Sequence, residues 1–188
     1  MNQLLILFIA IPLLSFFASL LWQNKREKAI GKIVRVAKVS NILIAVSIFA
    51  WWVSNGLEPI SYKMAPLYET NHFVFAIQLY YDEITAVFSI VGALLFFLVA
   101  TFSKYYMHRD EGYKRFFNTI LLFATAYNFI ILAGNFETLF IGWEIKGICS
   151  FILITFYRNR YLPVKNALKS VSNYCISDVV LLLALWLI

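Results

Sequence analysis

Long apolar runs alternate along this chain with short polar stretches that are mostly basic. Six of the runs have the length of a membrane span: 3–22, 39–55, 83–103, 116–134, 138–157 and 166–187. A helix needs about 20 apolar residues to cross the hydrocarbon layer. The pattern therefore predicts an all-α, polytopic membrane helix bundle of about six transmembrane helices. The first run lacks a basic segment before it and is followed by Asn24-Lys25-Arg26-Glu27-Lys28, so it reads as a retained helix rather than a signal peptide. Residues 56–82 form the longest connection. Pro59 and Pro66 break it up, and His72 to Tyr81 reads as a short strand in a loop capping the helix ends.

Composition agrees with the pattern. Of the 188 residues, 62% are hydrophobic and 14% charged, where a soluble domain has about 25% charged. The net charge of +6 would suggest nucleic acid in a soluble protein, but here the placement of the charges decides. Thirteen of the 16 basic residues fall in the connections after the first, third and fifth runs. That bias marks the cytoplasmic side and puts the N-terminus outside. Cys149 and Cys175 lie within spans with no metal-ligand spacing, and His72 and His108 are isolated. They read as structural residues, with no metal and no cofactor. A soluble enzyme or a nucleic-acid binder is excluded.

Ionisable residues within the spans carry the candidate chemistry. Glu144, in Gly142-Trp143-Glu144, sits in an apolar run, where a carboxylate costs roughly 2.5–3.5 kcal/mol on insertion scales. Such residues commonly mark ion or proton paths. Glu144 and Lys146 point to nearly opposite sides of a helix, so each needs another partner. Asp178 is a candidate partner for Lys146, which alternatively snorkels. On the sixth helix, Asn166, Lys169 or Ser170, Asn173 and Ser177 recur at spacings of three and four, and Ser170, Tyr174 and Asp178 form an adjoining row. That stripe is either one wall of a hydrated path or a helix–helix contact. Lys169, near the basic-side end, either snorkels or guards a proton entrance. Asn118, Thr125 and Asn128 read as polar residues joining helices.

Several runs resemble one family. Tyr81-Asp82-Glu83 opens the third helix and Phe102-Ser103-Lys104-Tyr105-Tyr106-Met107 closes it. Arg115-Phe116-Phe117 opens the fourth. Gly134-Asn135-Phe136-Glu137-Thr138-Leu139-Phe140-Ile141-Gly142-Trp143-Glu144 and Gly147-Ile148-Cys149-Ser150-Phe151-Ile152-Leu153-Ile154 follow. Together they resemble the N-terminal part of the antiporter-like subunits of respiratory complex I, most closely the subunit L type. The large Mrp-type cation/proton antiporter subunit and the membrane subunit of DAB-type inorganic-carbon transporters are related chains.

The resemblance implies a non-redox, proton-translocating membrane subunit of a NADH:quinone oxidoreductase-like complex in the bacterial inner membrane. Its partners would be other membrane subunits, or a chain supplying missing helices. It implies a proton path through Glu144, Lys169 and Asp178, with Lys146, Ser177, Asn173 and Ser170 as pathway or charge partners. It divides the chain into 1–115, three N-terminal transmembrane helices with the loop 56–82, and 116–188, the incomplete start of the antiporter-like repeat. Cys175 stands where the family usually has arginine, Ser177 replaces a glycine, and Lys146 is unusual after the glutamate. Family members have about fourteen helices, and the family's lysine on the seventh lies beyond Ile188. That leaves three alternatives: a DAB-type carbon transporter (suggested by 157–166), an Mrp-type antiporter, and a truncated, non-conducting scaffold or assembly subunit.

Overall fold

The computed structural model describes residues 2–22, 27–64, 68–70 and 73–187. Its six helices are α1 (Asn2–Leu21), α2 (Glu27–Ser54), α3 (Glu83–Tyr106), α4 (Tyr113–Ile131), α5 (Phe136–Ile154) and α6 (Tyr161–Leu187). Between α2 and α3 lie four short strands, β1 (Ile60–Lys63), β2 (Tyr68–Thr70), β3 (Phe73–Phe75) and β4 (Gln78–Tyr81). By packing, the chain divides into two compact units, Met1–Lys146 and Gly147–Ile188.

In the first unit, α1 packs on α2 and α4, and α3 packs on the same two helices. α2 and α4 therefore each pack on both α1 and α3, and on α4 Phe117, Asn118, Thr119, Leu121, Ala124, Thr125, Ala126 and Asn128 are all buried. This placement explains the composition of α4. A helix enclosed by others can carry asparagines that lipid would not tolerate, provided neighbouring helices satisfy them. Ser19 of α1 donates to the Asn118 side chain, and Asn128 donates to the Phe8 carbonyl at 2.7 Å. The core of this unit combines Leu5, Phe8, Ala45, Ile48, Trp52, Ala86, Ala93 and Leu132 with Leu79 and Tyr81 of β4.

Among the described residues, four helices are long and apolar enough to cross a membrane on length and composition alone: α1, α2, α3 and α6 over Tyr161–Ala184. α4 carries Lys114, Arg115 and two asparagines, and α5 carries Glu137, Glu144 and Lys146. The chain is an integral membrane protein.

Three elements differ from the sequence reading. α2 begins at Glu27, not near 39. Lys28, Lys32, Arg35 and Lys38 are thus helical rather than part of a loop. Their long stems can cover apolar surface while the charges reach water, so a helix runs on past the point where hydropathy falls. α6 likewise begins at Tyr161, five residues before the apolar run, with Pro163 in its first turn, where its missing N–H costs no helical bond. The segment 56–82 holds more than one strand. β1 pairs antiparallel with β4, Ile60 opposite Tyr81, and β2 pairs with β3, Tyr68 opposite Phe75. The single strand expected from His72 to Tyr81 is β3 plus β4, and His72 lies outside the described residues.

The ends of this layer are fixed locally. α2 stops at Gly56, whose φ of +81° is open to glycine at little cost. The Trp52 indole N–H donates to the Glu58 carbonyl at 2.9 Å, holding the chain as it turns towards β1. Asp82 caps α3 by accepting the Thr85 N–H at 2.8 Å, which is the physical content of the Tyr81-Asp82-Glu83 run.

Candidate functional site

The β layer also sets where α5 begins. Asn135 accepts the Thr138 N–H at 3.1 Å, an N-cap bond, and its own amide donates to the Ala76 carbonyl at 2.5 Å. The Thr138 hydroxyl accepts the Gln78 N–H at 3.0 Å. Two backbone bonds, Tyr80 N–H to Leu132 and Gly134 N–H to Gln78, both at 2.8 Å, clamp the α4–α5 turn onto β4. Gly134 must be glycine here, because a Cβ would stand 2.8 Å from the Gln78 side chain and 3.2 Å from its carbonyl. The start of α5 is therefore held by the sheet rather than by lipid.

Two turns further on, α5 carries Glu144. Gly142 lets α5 approach α4 closely: a Cβ would lie 2.9 Å from Phe129 and Ile130 side chains and 3.0 Å from the Ala126 carbonyl. Trp143, Glu144 and Lys146 are half-buried. The Lys146 ammonium sits over the Trp143 ring, 4.4 Å from its centroid, one helical turn back. Glu144, Lys146 and Asp178 are each engaged by a neighbour.

In the second unit, Tyr174 of α6 packs on Gly147 of α5. A Cβ at 147 would lie 2.2 Å from the tyrosine ring, so the two helices meet backbone to ring. α6 is continuous from Lys169 through Asp178, so the spacings read from sequence do place its predicted residues on shared faces. Lys169, Ser170, Asn173 and Ser177 are exposed and Asp178 is half-buried. The Ser177 hydroxyl donates to the Asn173 carbonyl of its own helix at 3.0 Å. The predicted residues thus fall into two groups, Glu144 and Lys146 in the first unit and Lys169, Ser170, Asn173, Ser177 and Asp178 in the second.

Sequence reasoning gave no partner for Gly134, Gly142 or Gly147, at each of which an added Cβ would run into a neighbour. Their signal was present as glycines in or beside apolar helical segments, which commonly mark close backbone approach. It also counted Arg35, Lys38 and Lys104 among the basic residues of the connections without bringing them together, whereas they gather around one cavity.

Residues 67–117 match the family described as NADH-ubiquinone oxidoreductase (complex I), chain 5 N-terminus. Residues 133–188 match the NADH:quinone oxidoreductase/Mrp antiporter transmembrane family. The NADH-quinone oxidoreductase subunit L of Rickettsia typhi is 30% identical over 98% of this chain and 28% of its own length. That of Escherichia coli is 28% identical over 99% of this chain and 30% of its own. The chain therefore spans under a third of the length of these relatives. Among solved structures, that of the membrane-bound sulfane sulfur reductase, an archaeal respiratory membrane complex, contains a chain with the same fold. Its TM-score is 0.76 at 23% identity, over 94% of this chain and 35% of that one. The two matched regions, with relatives aligned along nearly the whole chain, place this protein in the complex I chain 5 (subunit L) family of antiporter-like membrane subunits.

Proposed function

We propose that this chain is the N-terminal portion of a proton-translocating membrane subunit of a NADH:quinone oxidoreductase-like complex, in the bacterial inner membrane. The observation that carries this reading is a half-buried carboxylate, Glu144, on an apolar helix; separately, α6 carries a polar face of exposed residues. Ser170, Asn173 and Ser177 on a membrane helix must meet protein or water rather than lipid. Other membrane subunits, or further helices, are the partners that such a face requires. The names of the relatives support the same reading.

In this mechanism Glu144 takes up a proton when no cation is close and releases it when one approaches. Its affinity moves because burial and a neighbouring positive charge act in opposite directions. Lys169 and Asp178 are the further groups that hold charge along the path. Asn173, Ser170 and Ser177 line it and organise water. The reaction transfers protons only, and its driving force comes from elsewhere in the complex. Residues 1–115 supply the supporting helices and the sheet layer, and 116–188 begin the antiporter-like repeat.

The test is proton flux into vesicles by the assembled complex, with and without Glu144→Gln. At least a tenfold loss of flux with normal assembly is expected. Unchanged flux removes Glu144 from the mechanism and leaves a scaffold role. A second reading, an Mrp-type cation/proton antiporter subunit, is favoured by the description of the family matched over 133–188. It predicts flux that depends on sodium rather than on quinone reduction.

A further inference from the structure

Arg35 and Lys38 lie one turn apart on α2, and Lys104 ends α3. All three line one cavity of about 130 Å³, together with Gly31, Val34, Ala100, Thr101, Tyr105, Tyr113 and Phe117. That is about ten times the space one water needs. Its lining contains three cations and no carboxylate. The charges are close enough for Lys104 and Arg35 both to repel Lys38. Lys38 is half-buried, donating to the Thr101 hydroxyl and lying 4.6 Å from the centroid of the Phe97 ring. Among the described residues none of the three cations makes an ion pair. Glu27, whose charge reaches Tyr113, pairs with His108 at 3.1 Å instead. Gly31 keeps the cavity open: a Cβ there would lie 3.2 Å from the Tyr113 hydroxyl.

Three like charges drawn together, two of them partly withdrawn from water, form an arrangement that an anion would stabilise. Beside the cavity, the outer faces of α2 and α3 expose Val36, Val39, Phe102, Tyr105 and Tyr106. A cationic pocket continuous with an apolar face fits an amphiphile with an anionic head better than a free ion. Basic pockets between membrane helices on the positively charged side take phospholipid headgroups.

We propose that Arg35, Lys38 and Lys104 form a binding site for the phosphate of an anionic phospholipid whose acyl chains lie along α2 and α3. The site does not depend on the proton-translocation reading.

The experiment places a photoreactive benzoylphenylalanine at position 105 of the chain in its native complex. The complex is reconstituted in vesicles of phosphatidylglycerol in excess phosphatidylcholine, and lipid captured on the chain is read by mass. Capture of phosphatidylglycerol above its mole fraction is expected. Lys38→Gln and Lys104→Gln each reduce it about fivefold. Lys38→Arg, which keeps the charge, retains it and controls for folding, and Lys63→Gln on β1 leaves it unchanged. Capture in proportion to lipid composition, or capture indifferent to both glutamine variants, overturns the proposal. Loss of capture on adding inorganic phosphate identifies a free-phosphate site and overturns the lipid assignment.

Discussion

Asn128 of α4 donates its side-chain amide to the backbone carbonyl of Phe8 in α1, across 120 residues of sequence. The reason lies four residues after Phe8. Pro12 has no N–H, so the Phe8 carbonyl has no i+4 helical donor. In a membrane interior an unsatisfied carbonyl costs several kcal/mol, and two asparagines, Asn128 at 2.7 Å and Asn41 at 3.3 Å, supply the missing donor. One proline thus ties α1 to both α2 and α4.

Asn128→Leu should destabilise the chain by about 1 kcal/mol, near the values measured for interhelical hydrogen bonds in membranes. Asn41→Leu alone should cost less, because its bond is longer. The double variant should cost more than the sum, since only then is the carbonyl left without a side-chain donor. With Pro12→Ala the Asn128→Leu loss should shrink, because residue 12 regains its own N–H. Denaturant unfolding of these five variants in detergent, Pro12→Ala alone among them, checks this, and strictly additive losses would sink the account.

Gly147→Ala makes a second, steric prediction. The added methyl would overlap the Tyr174 ring, and overpacking of this kind typically costs about 1–3 kcal/mol. Tyr174→Leu in the same chain should recover part of that loss by removing the ring. A Gly147→Ala chain as stable as the parent, measured by thermal unfolding of the assembled complex, would show that the helices separate freely here.

These contacts mark the limit of what the sequence makes legible. Helix number follows from hydropathy because the bilayer imposes one length on every span. The Asp82 cap and the Glu144 position follow from single residues with distinctive chemistry. The start of α2 did not follow, since Lys28, Lys32, Arg35 and Lys38 interrupt the apolar pattern without interrupting the helix. Nor did the donors to Phe8, or the clustering of Arg35 and Lys38 with Lys104 some 66 to 69 residues away, because tertiary partners leave no periodicity. Ser170, Asn173 and Ser177 were readable as one face, yet what covers that face is not encoded in the face itself.

Tyr81 gives a pH prediction. It is fully buried in β4, edge-on to Trp52 at 5.9 Å between centroids. Burial pushes its phenol up, and the Ser89 side chain beside it partly offsets this. With the folded value raised, its contribution to stability is complete below the unfolded value of about 10. It is lost as pH rises through the folded one. Stability should therefore fall at alkaline pH, and Tyr81→Phe should flatten that fall while leaving neutral-pH stability within about 1 kcal/mol. Unfolding measured from neutral to strongly alkaline pH checks it, and identical alkaline limbs in parent and variant would exclude Tyr81 as the titrating group.

Neighbouring residues on α6 separate a charge requirement from a merely polar one. Ser177 and Asp178 are adjacent, but they differ in what they can do for a proton. The Ser177 hydroxyl already donates to the Asn173 carbonyl on its own helix, so its hydrogen is committed locally. Asp178 can change charge, which a relay under the proposed function needs and a helix contact does not. Ser177→Ala should therefore leave proton flux within about twofold, as expected when a local side-chain bond worth roughly 0.5–1.5 kcal/mol is removed away from the transferring group. Asp178→Asn keeps the shape and loses the charge, and should reduce flux at least tenfold with assembly unchanged. If Asp178→Asn conducts like the parent, the α6 stripe is a packing surface and the proton path must run elsewhere.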